Sequence, residues 1–317
     1  MNDRLATKTE IIKRVPKNAS SCVSSILKNY QITGFISSGN FGDIYAIDDA
    51  SNKKRDIKSL LTVKKTSKPP MFIMKIAYRS SDHVSEVNLL KKVTQRVSRK
   101  SPHVSMYYKH YLCDNTQFRG KRKAGVYKSP SDWTLVKKGK AIITLMEYNG
   151  KSLHDFKSTD PSIEYKMLFQ LMYTLFVLQE NSITHGDLYF SNITFMKTPT
   201  EEVNKVWEYQ IFNTSFYIKQ GKYIPVIIDF GQGESGPDPQ QYAEHWKESD
   251  VKMLLEEWRD RTLNEEIRNF CGTILNYVGE SDNLVRRYLY AKNIARDFFK
   301  KYTRYNERLG NITKIWK

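Results

Sequence analysis

The stretch "THGDLYFSNITF", residues 184–195, decides how this chain is interpreted, because it places a His, an Asp and an Asn together directly after a long apolar run. Asp187 and Asn192 lie five residues apart, a spacing that matters if both side chains face one ligand. A plain polar turn between a helix and a strand would have the same composition. The choice between a catalytic loop and a turn therefore depends on the rest of the chain.

The composition is that of a globular protein. The chain has 317 residues, of which 40% are hydrophobic, so it is long enough for one large domain or two lobes. We expect no membrane-spanning segment and no signal peptide, since no apolar run is long enough. Three scattered cysteines form no CxxC pair, which favours a reducing compartment. We therefore predict an intracellular, cytoplasmic protein, in the host cytoplasm or the virion if it is viral.

The charge predicts acidic partners. A formal net charge of +17 attracts polyanions, although a solvated basic surface is an equal explanation. The densest basic runs, residues 52–69 and 119–128, lack the regular aromatic residues that stack on bases. We expect protein substrates that are acidic or associated with nucleic acid. Direct binding of nucleic acid and the role of the two runs stay open.

The chain changes character near residue 150. Residues 31–148 are rich in predicted strands, whereas residues 149–317 are mainly helical, with Gly150 at the join. Residues 1–30 are predicted to be a polar N-terminal extension that ends in a short helix. Short strands follow the run at residues 162–183, and helices are predicted from about residue 245 to the end. The fold class is therefore α+β.

A glycine-rich hairpin, "ISSGNFGDIY" at residues 36–45, lies between the first two predicted strands. Gly39 and Gly42 allow the backbone to approach a ligand closely, and successive N–H groups in such a turn can bind phosphate. An ordinary two-glycine hairpin is the alternative.

Two charged residues are predicted at positions where the chain should be buried. Lys75 lies in the apolar strand "FIMKIA", so its ammonium group needs a partner or must reach a cleft. Glu86 shares a helical face with Leu90, Val93 and Val97. Because a buried carboxylate without a cation is costly, Lys75 is its natural partner.

Asp229 ends the apolar run in "VIIDFGQG", residues 226–233, which predicts a buried strand. A carboxylate at the exit of such a strand, followed at once by Gly231, suits a ligand of a divalent metal. A strand that simply ends in an Asp turn is the alternative.

Taken together, these motifs resemble the protein-kinase superfamily, from about residue 32 to residue 258. The hairpin is similar to the family's Gly-rich loop, with Ser37 at the place of the first Gly, and "HGDLYFSN" (185–192) and "DFG" (229–231) are similar to the catalytic loop and the metal-binding motif. The resemblance implies a two-lobed fold, with an N-lobe at 31–148 and a C-lobe at 149–317. The hairpin inserted before Asp229 is similar to that of divergent kinases of large DNA viruses.

The resemblance also implies the roles of individual residues. Lys75 would hold the α- and β-phosphates of ATP, and Glu86 would orient it. Asn192 and Asp229 would bind Mg²⁺, Asp187 would position and deprotonate the acceptor hydroxyl, and His185 would brace the loop. Met146 would be the gatekeeper beside the adenine. The implied ATP-binding residues are Ser37, Ser38, Gly39, Asn40, Phe41, Gly42, Ile44, Lys75, Glu86, Met146, Glu147 and Asn149.

The chain departs from the family pattern in its regulatory residues. Gly186 stands where most protein kinases carry an Arg that meets an activation-segment phosphate. Only Ser235 and Tyr242 offer hydroxyl groups in that segment before Ser249. We therefore expect activity that does not depend on activation-loop phosphorylation. Asp250 is expected to begin a helix and to contact the catalytic loop.

The expected activity is that of a serine/threonine protein kinase, but Tyr189 replaces a lysine that such kinases usually carry. The sequence "HGDL" also resembles the corresponding loop of small-molecule phosphotransferases and of the atypical kinases of the KEOPS complex. A pseudokinase scaffold is a third possibility, although no catalytic position is missing from the sequence.

Overall fold

The computed structural model describes residues 2–15, 17, 22–39, 42–49, 70–119, 136–156, 160–211, 213–236, 250–280, 293, 295–300 and 312–316. Asn40, Phe41 and nearly all of the two basic runs lie outside these ranges. The chain forms two compact units. Met1–Lys91 and Met106–Tyr148 make the first, and Lys92–Ser105 and Asn149–Lys317 make the second. None of the helices in the described ranges is both long and apolar enough to cross a membrane.

The first unit is built on an antiparallel sheet of five strands in the order β1-β2-β3-β5-β4. The strands are β1 (Tyr30–Gly39), β2 (Gly42–Asp49), β3 (Phe72–Tyr78), β4 (Tyr107–Arg119) and β5 (Val136–Glu147). These strands agree with the strand-rich pattern that the sequence predicts. Their apolar side chains form a buried core with Phe72, Met74 and Leu145 fully enclosed.

Residues before 30 contribute to the same core. The predicted polar lead contains a helix, α1 (Asn2–Arg14), which is followed by α2 (Cys22–Ile26). Ile11 and Val15 lie one turn apart on one side of the chain and are buried, as are Val23 and Ile26. The high polar content hid this narrow apolar face. These residues pack as part of the first unit.

Helix α3 (Ser81–Lys92) is followed by one π-helical turn, Val93–Val97. Glu86, Leu90, Val93 and Val97 are all buried, which confirms the predicted buried face.

Residues 92–105 belong to the second unit, although the sequence suggested one N-terminal part through residue 148. The Ser101 and Thr174 hydroxyl oxygens lie 2.8 Å apart, and the Ser105 N–H donates to the Ile227 oxygen at 3.0 Å. His103 Nδ1 lies 2.9 Å from the Pro225 carbonyl oxygen. These contacts with residues far along the chain could not be read from local pattern.

The described part of the second unit combines helices with short strands. Its helices with both ends described are α4 (Pro161–Glu180), α5 (Asp250–Arg261) and α6 (Glu265–Glu280). Its strands are β6 (Lys151–Ser152), β7 (Ile183–Thr184), β8 (Ile193–Lys197), β9 (Val206–Ile211), β10 (Thr214–Lys219), β11 (Tyr223–Ile227), β12 (Glu234–Ser235) and β13 (Ile312–Trp316). They form the small sheets β11-β8-β6, β10-β9-β13 and β12-β7. Helix α4 is buried along residues 167–179, as its apolar sequence predicts.

The end of the chain is a strand, which corrects the prediction of helices throughout. Strand β13 pairs in parallel with β9. Lys314 Nζ lies 3.2 Å from Glu202 Oε1, and the Trp316 and Trp207 rings are 5.6 Å apart. The alternating β-branched and aromatic residues of "ITKIW" favour a strand once an edge is available. Earlier in the region predicted to be helical, residues 293 and 295–300 are described, and they are helical.

The cysteines differ in state. Cys113 on β4 is disulfide-bonded, whereas Cys271 is a free, buried thiol. Burial raises the pKa of Cys271 to about 12. A disulfide runs against the sequence-based expectation of a reducing environment.

Candidate active site

Lys75 and Glu86 form a buried ion pair in the first unit. Lys75 lies on β3 opposite Ile44 of β2 and Thr144 of β5. Its Nζ is 2.5 Å from Glu86 Oε1, and each side chain is only 5% exposed. The pairing predicted from two apolar contexts is therefore present. Because both charges are desolvated, each needs the other.

The glycine-rich hairpin has its two glycines directly opposite each other, Gly39 against Gly42. Gly42 has φ of +115°, and a Cβ there would lie 2.5 Å from the Ile76 backbone oxygen on β3. Packing of the sheet thus requires glycine at 42, a reason separate from the ligand approach expected from sequence. Ser37 is exposed and pairs with Ile44, while Asn40 and Phe41 lie outside the described residues.

Met146 and Glu147 end strand β5. Met146 is buried between Ile73 and Tyr107 on the neighbouring strands. The Glu147 N–H donates to the Met106 oxygen at 2.9 Å, so this N–H belongs to the sheet. In the second unit, Asn149 Nδ2 donates to Ser105 Oγ at 2.7 Å. The predicted adenine contacts of these residues stay predictions.

Asp187 and Asn192 meet within the loop at residues 185–192. Asn192 Nδ2 donates to the Asp187 backbone oxygen at 2.8 Å and to the Asp187 Oδ2 at 2.9 Å. The spacing of five residues is closed by a single 3₁₀ turn, Phe190–Asn192. The loop thereby fixes the direction of the Asp187 carboxylate.

Asp229 is brought beside this pair by a strand register. Ile193 of β8 pairs with Ile227 of β11, and the Ile228 N–H donates to the Asn192 oxygen at 2.9 Å. Asp229 follows at once with φ of +59°, in the left-handed region that few residues other than glycine adopt. The strand exit therefore places Asp229 directly after the residue whose N–H is bonded to Asn192.

These donors are of a kind that suits a hard divalent cation. Carboxylate and amide oxygens are the ligands that Mg²⁺ prefers. With Asn192 Nδ2 directed to Asp187, the amide oxygen is the atom with which Asn192 can coordinate a cation. Within the described ranges, no group of three or more His, Cys, Asp or Glu side chains could hold a metal ion.

His185 is a bracing residue. It is fully buried, and its Nε2 lies 2.7 Å from the Ile228 carbonyl oxygen. Because that oxygen can only accept, Nε2 carries the proton and Nδ1 accepts the Asp187 N–H at 3.3 Å. The ring packs 4.8 Å from the Phe230 ring. This arrangement agrees with the structural role expected of His185.

Asp250 holds the loop from helix α5. Its two carboxylate oxygens accept the N–H groups of His185 at 2.6 Å and Gly186 at 2.8 Å. The predicted contact of Asp250 with the catalytic loop is thus confirmed. Gly186 has φ of +78°, and a Cβ there would lie 2.3 Å from the Gln232 oxygen. The backbone geometry therefore requires glycine at the position where the related motif carries Arg.

Sequence reasoning missed the residues that fix Phe190. The Glu257 carboxylate accepts the Phe190 N–H, and Ser152 Oγ donates to the Phe190 oxygen at 3.0 Å. The Trp258 ring packs 5.2 Å away. Glu257 lies seven residues after Asp250, two helical turns further along α5, and this spacing was the only signal available.

The segment after Asp229 lies against the loop. Strand β12 pairs with β7, which precedes His185, and Ser235 Oγ accepts a hydrogen bond from Lys92 Nζ at 2.7 Å. Tyr242 lies outside the described residues.

Comparison with solved structures finds many chains of similar structure, of which one is described here. No family model matches the chain, and no curated protein matches its sequence. A crystal structure of a kinase domain is similar with a TM-score of 0.37 and 14% identity, over 67% of this chain and 53% of that one. The chain thus matches about half the length of that structure. A likeness of this size establishes no family, and the interpretation of the site rests on its own contacts.

Proposed function

We propose that this protein is an ATP-dependent protein kinase with a two-lobed kinase-like fold, which transfers the γ-phosphate of Mg-ATP to Ser or Thr of protein substrates. The observation that carries the proposal is the juxtaposition of Asp187, Asn192 and Asp229 at the exit of paired strands. Phosphoryl transfer needs little more from a protein than positioned oxygen ligands, a base and a cation on the phosphates.

In this proposal Asn192 and Asp229 hold Mg²⁺. Held there, the ion would supply positive charge that neutralises the phosphates. Asp187 faces the acceptor hydroxyl and takes its proton. One hydrogen bond from Asn192 holds the Asp187 carboxylate and the other holds its backbone oxygen, which limits the reorganisation needed during transfer.

Lys75 supplies the cation for the α- and β-phosphates. Its pairing with Glu86 in a buried setting supports this role, because the pair fixes the direction of an otherwise flexible ammonium group. The remaining ATP-binding residues proposed are those of the glycine-rich hairpin, with Ile44, Met146, Glu147 and Asn149.

Activity is proposed to be independent of activation-loop phosphorylation. Gly186 cannot be replaced by the usual Arg without strain, so an Arg-phosphate contact is missing at that position. Ser235 Oγ is already hydrogen-bonded to Lys92. Phosphatase treatment should leave activity unchanged, and the variant Ser235→Ala should retain it. Loss of activity after phosphatase treatment would contradict this part of the proposal.

A panel of acceptors tests the substrate class. Labelled ATP and Mg²⁺ are offered with casein, histone, an aminoglycoside and choline, and labelled protein is hydrolysed in acid. We expect label on protein, recovered as phosphoserine or phosphothreonine. Label on a small molecule alone would establish the alternative phosphotransferase, and Mg-ATP binding without transfer would favour a KEOPS-type ATPase or a scaffold. Because the chain is basic, transfer to acidic proteins should fall steeply with salt while transfer to a neutral peptide should not.

A further inference from the structure

The second unit contains a cavity of about 510 Å³ between the segment at 153–156, the start of α4, the catalytic loop and the end of α5. Its wall is mainly apolar and aromatic, formed by Leu153, Phe156, Met167, Phe190, Trp258 and Leu263. We call this cavity the Phe190 pocket. Its volume lies in the range of pockets that enclose a ligand of moderate size.

One edge of the Phe190 pocket carries a cation. The Arg261 guanidinium lies over the Phe190 ring, 5.1 Å from its centroid, and the side chain is 40% exposed. Its ion pair with Glu257 is long, at 3.5 Å, while the other Glu257 oxygen accepts the Phe190 N–H. The carboxylate that does line the pocket, Glu164, accepts a hydrogen bond from Thr262 Oγ1 at 2.5 Å. Arg261 is therefore the charge that is best placed to meet a ligand.

The rim of the pocket exposes an apolar side chain. Leu263 is 81% exposed, more than any other large hydrophobic side chain in the described ranges. A single exposed leucine is ordinary, but one at the mouth of an aromatic cavity extends the apolar surface outward. A ligand that filled the pocket would cover it.

The pocket is close to the proposed catalytic base. Phe190 lies three residues after Asp187, so their Cα atoms are at most about 11 Å apart. An extended peptide covers that distance in roughly three residues. A peptide with its hydroxyl at Asp187 can therefore place a nearby side chain in the Phe190 pocket.

We infer that the Phe190 pocket is a substrate-recognition subsite, which binds a large apolar side chain of the protein substrate roughly three to five residues from the phosphorylated one. An acidic residue beside that side chain pairs with Arg261. The inference rests on the proposed function. The net charge of +17 and the aromatic lining together favour an acidic segment with one apolar anchor over a basic one.

A peptide scan tests the anchor. The full chain is assayed with a series of acidic peptides that each contain one Ser and one Phe. The Phe is placed in turn at each position from six before to six after the Ser, and kcat/KM is measured for each peptide. One position on one side should stand out, and replacing its Phe by Ala should lower kcat/KM roughly tenfold or more. Leu263→Asp should remove that preference while a peptide without Phe is phosphorylated as before.

A charge exchange tests the pairing. Arg261→Glu should disfavour the peptide with Asp beside the Phe and favour its Lys counterpart, whereas wild type should do the reverse. Arg259→Glu, on the same turn of α5 but outside the lining, is the matched control and should keep the wild-type preference. An additive effect of the protein and peptide changes would overturn the pairing with Arg261.

Binding of the best peptide, labelled and without ATP, is measured by fluorescence anisotropy. This measurement distinguishes failure of the pocket inference from failure of the proposed function. Transfer to peptides with a flat Phe profile would overturn this inference and leave the proposed function standing. Binding that needs the Phe and Arg261, without any transfer, would refute the proposed function and the substrate role of the pocket together. A dimer in sedimentation that Leu263→Asp dissociates would assign the pocket to a second copy instead.

Discussion

The Asn192 side-chain amide donates to both the backbone oxygen and the carboxylate of Asp187, at 2.8 and 2.9 Å. One residue thus supplies two bonds that fix the orientation of the proposed base. The oxygen of the same amide can serve as a ligand of a cation. Asn192 is therefore assigned two roles at once, in positioning the base and in binding metal.

Replacing Asn192 should damage transfer far more than stability. Asn192→Ala removes both bonds and the metal-directed oxygen, so we expect kcat to fall by roughly 10²-fold or more. Steady-state kinetics at varied Mg²⁺ should show a raised Mg²⁺ requirement. Asn181→Ala is the control, because it also removes an amide bond to a backbone oxygen, at 2.8 Å, but away from Asp187. Equal losses in the two variants would contradict the role given to Asn192.

Variants of the buried pair of Lys75 and Glu86 should affect stability and activity differently. Glu86→Leu leaves a buried ammonium group without its partner and should lower the free energy of unfolding by about 3–5 kcal/mol. The double variant Lys75→Met/Glu86→Leu should recover most of that loss, since both charges are gone. Urea unfolding measures the first effect, and ATP turnover should be abolished in both variants. A double variant that kept activity would remove Lys75 from the mechanism.

Gly186 should not accept any side chain. Its φ of +78° and the 2.3 Å approach of a Cβ to the Gln232 oxygen combine strain with collision. Gly186→Ala should cost at least about 1–2 kcal/mol from the backbone conformation alone. Gly221→Ala, where a Cβ meets nothing within 4 Å, is the matched control and should be close to neutral. Gly186→Arg should disrupt the loop and should not make activity depend on phosphorylation. Thermal unfolding and turnover measurements should both show a loss in this variant.

The C-terminal strand should loosen in acid. Burial alone would raise the pKa of Glu202, but hydrogen bonds from Trp207, Lys314 and Thr313 outweigh it and lower the pKa. A lowered folded-state pKa means that the stabilisation is complete above the unfolded value of about 4.3 and is lost as pH falls through the folded value. Glu202→Gln should lower the free energy of unfolding by about 1–3 kcal/mol at pH 7, and acid should lower it little further in this variant.

Melting temperatures from pH 7 to pH 3 test this linkage. Wild type should lose stability more steeply than Glu202→Gln below about pH 4.3. Glu201→Gln, at the exposed neighbouring position, should follow wild type. Parallel curves for all three proteins would show that Glu202 does not stabilise β13.

Local pattern predicted the parts of the site that obey local rules. The apolar contexts of Lys75 and Glu86 indicated a buried pair, and the strand before Asp229 fixed where that carboxylate emerges. The place of Asp250 at the start of a helix is a local feature, whereas its contact with the loop was implied by the family resemblance. The residues immediately around these positions were enough to predict their burial or their place at the end of an element.

The rest depends on contacts between distant segments, which periodicity cannot supply. Nothing near Phe190 in sequence indicates Glu257 or Ser152, and residues 92–105 join the second unit through Thr174 and Ile227. The requirement for glycine at 42 comes from the backbone of β3. Helix α1 was hidden by its polar composition, and β13 forms only because β9 offers an edge.

The central claim is that Asp187 is the base for phosphoryl transfer. The most direct measurement is ³²P transfer from labelled ATP with Mg²⁺ to casein, for wild type beside Asp187→Asn, which keeps the size of the side chain and removes its charge. We predict label on protein with wild type, a loss of roughly 10²-fold or more with Asp187→Asn, and unchanged Mg-ATP binding in both. Equal transfer by the two proteins, or none by wild type, would contradict the account.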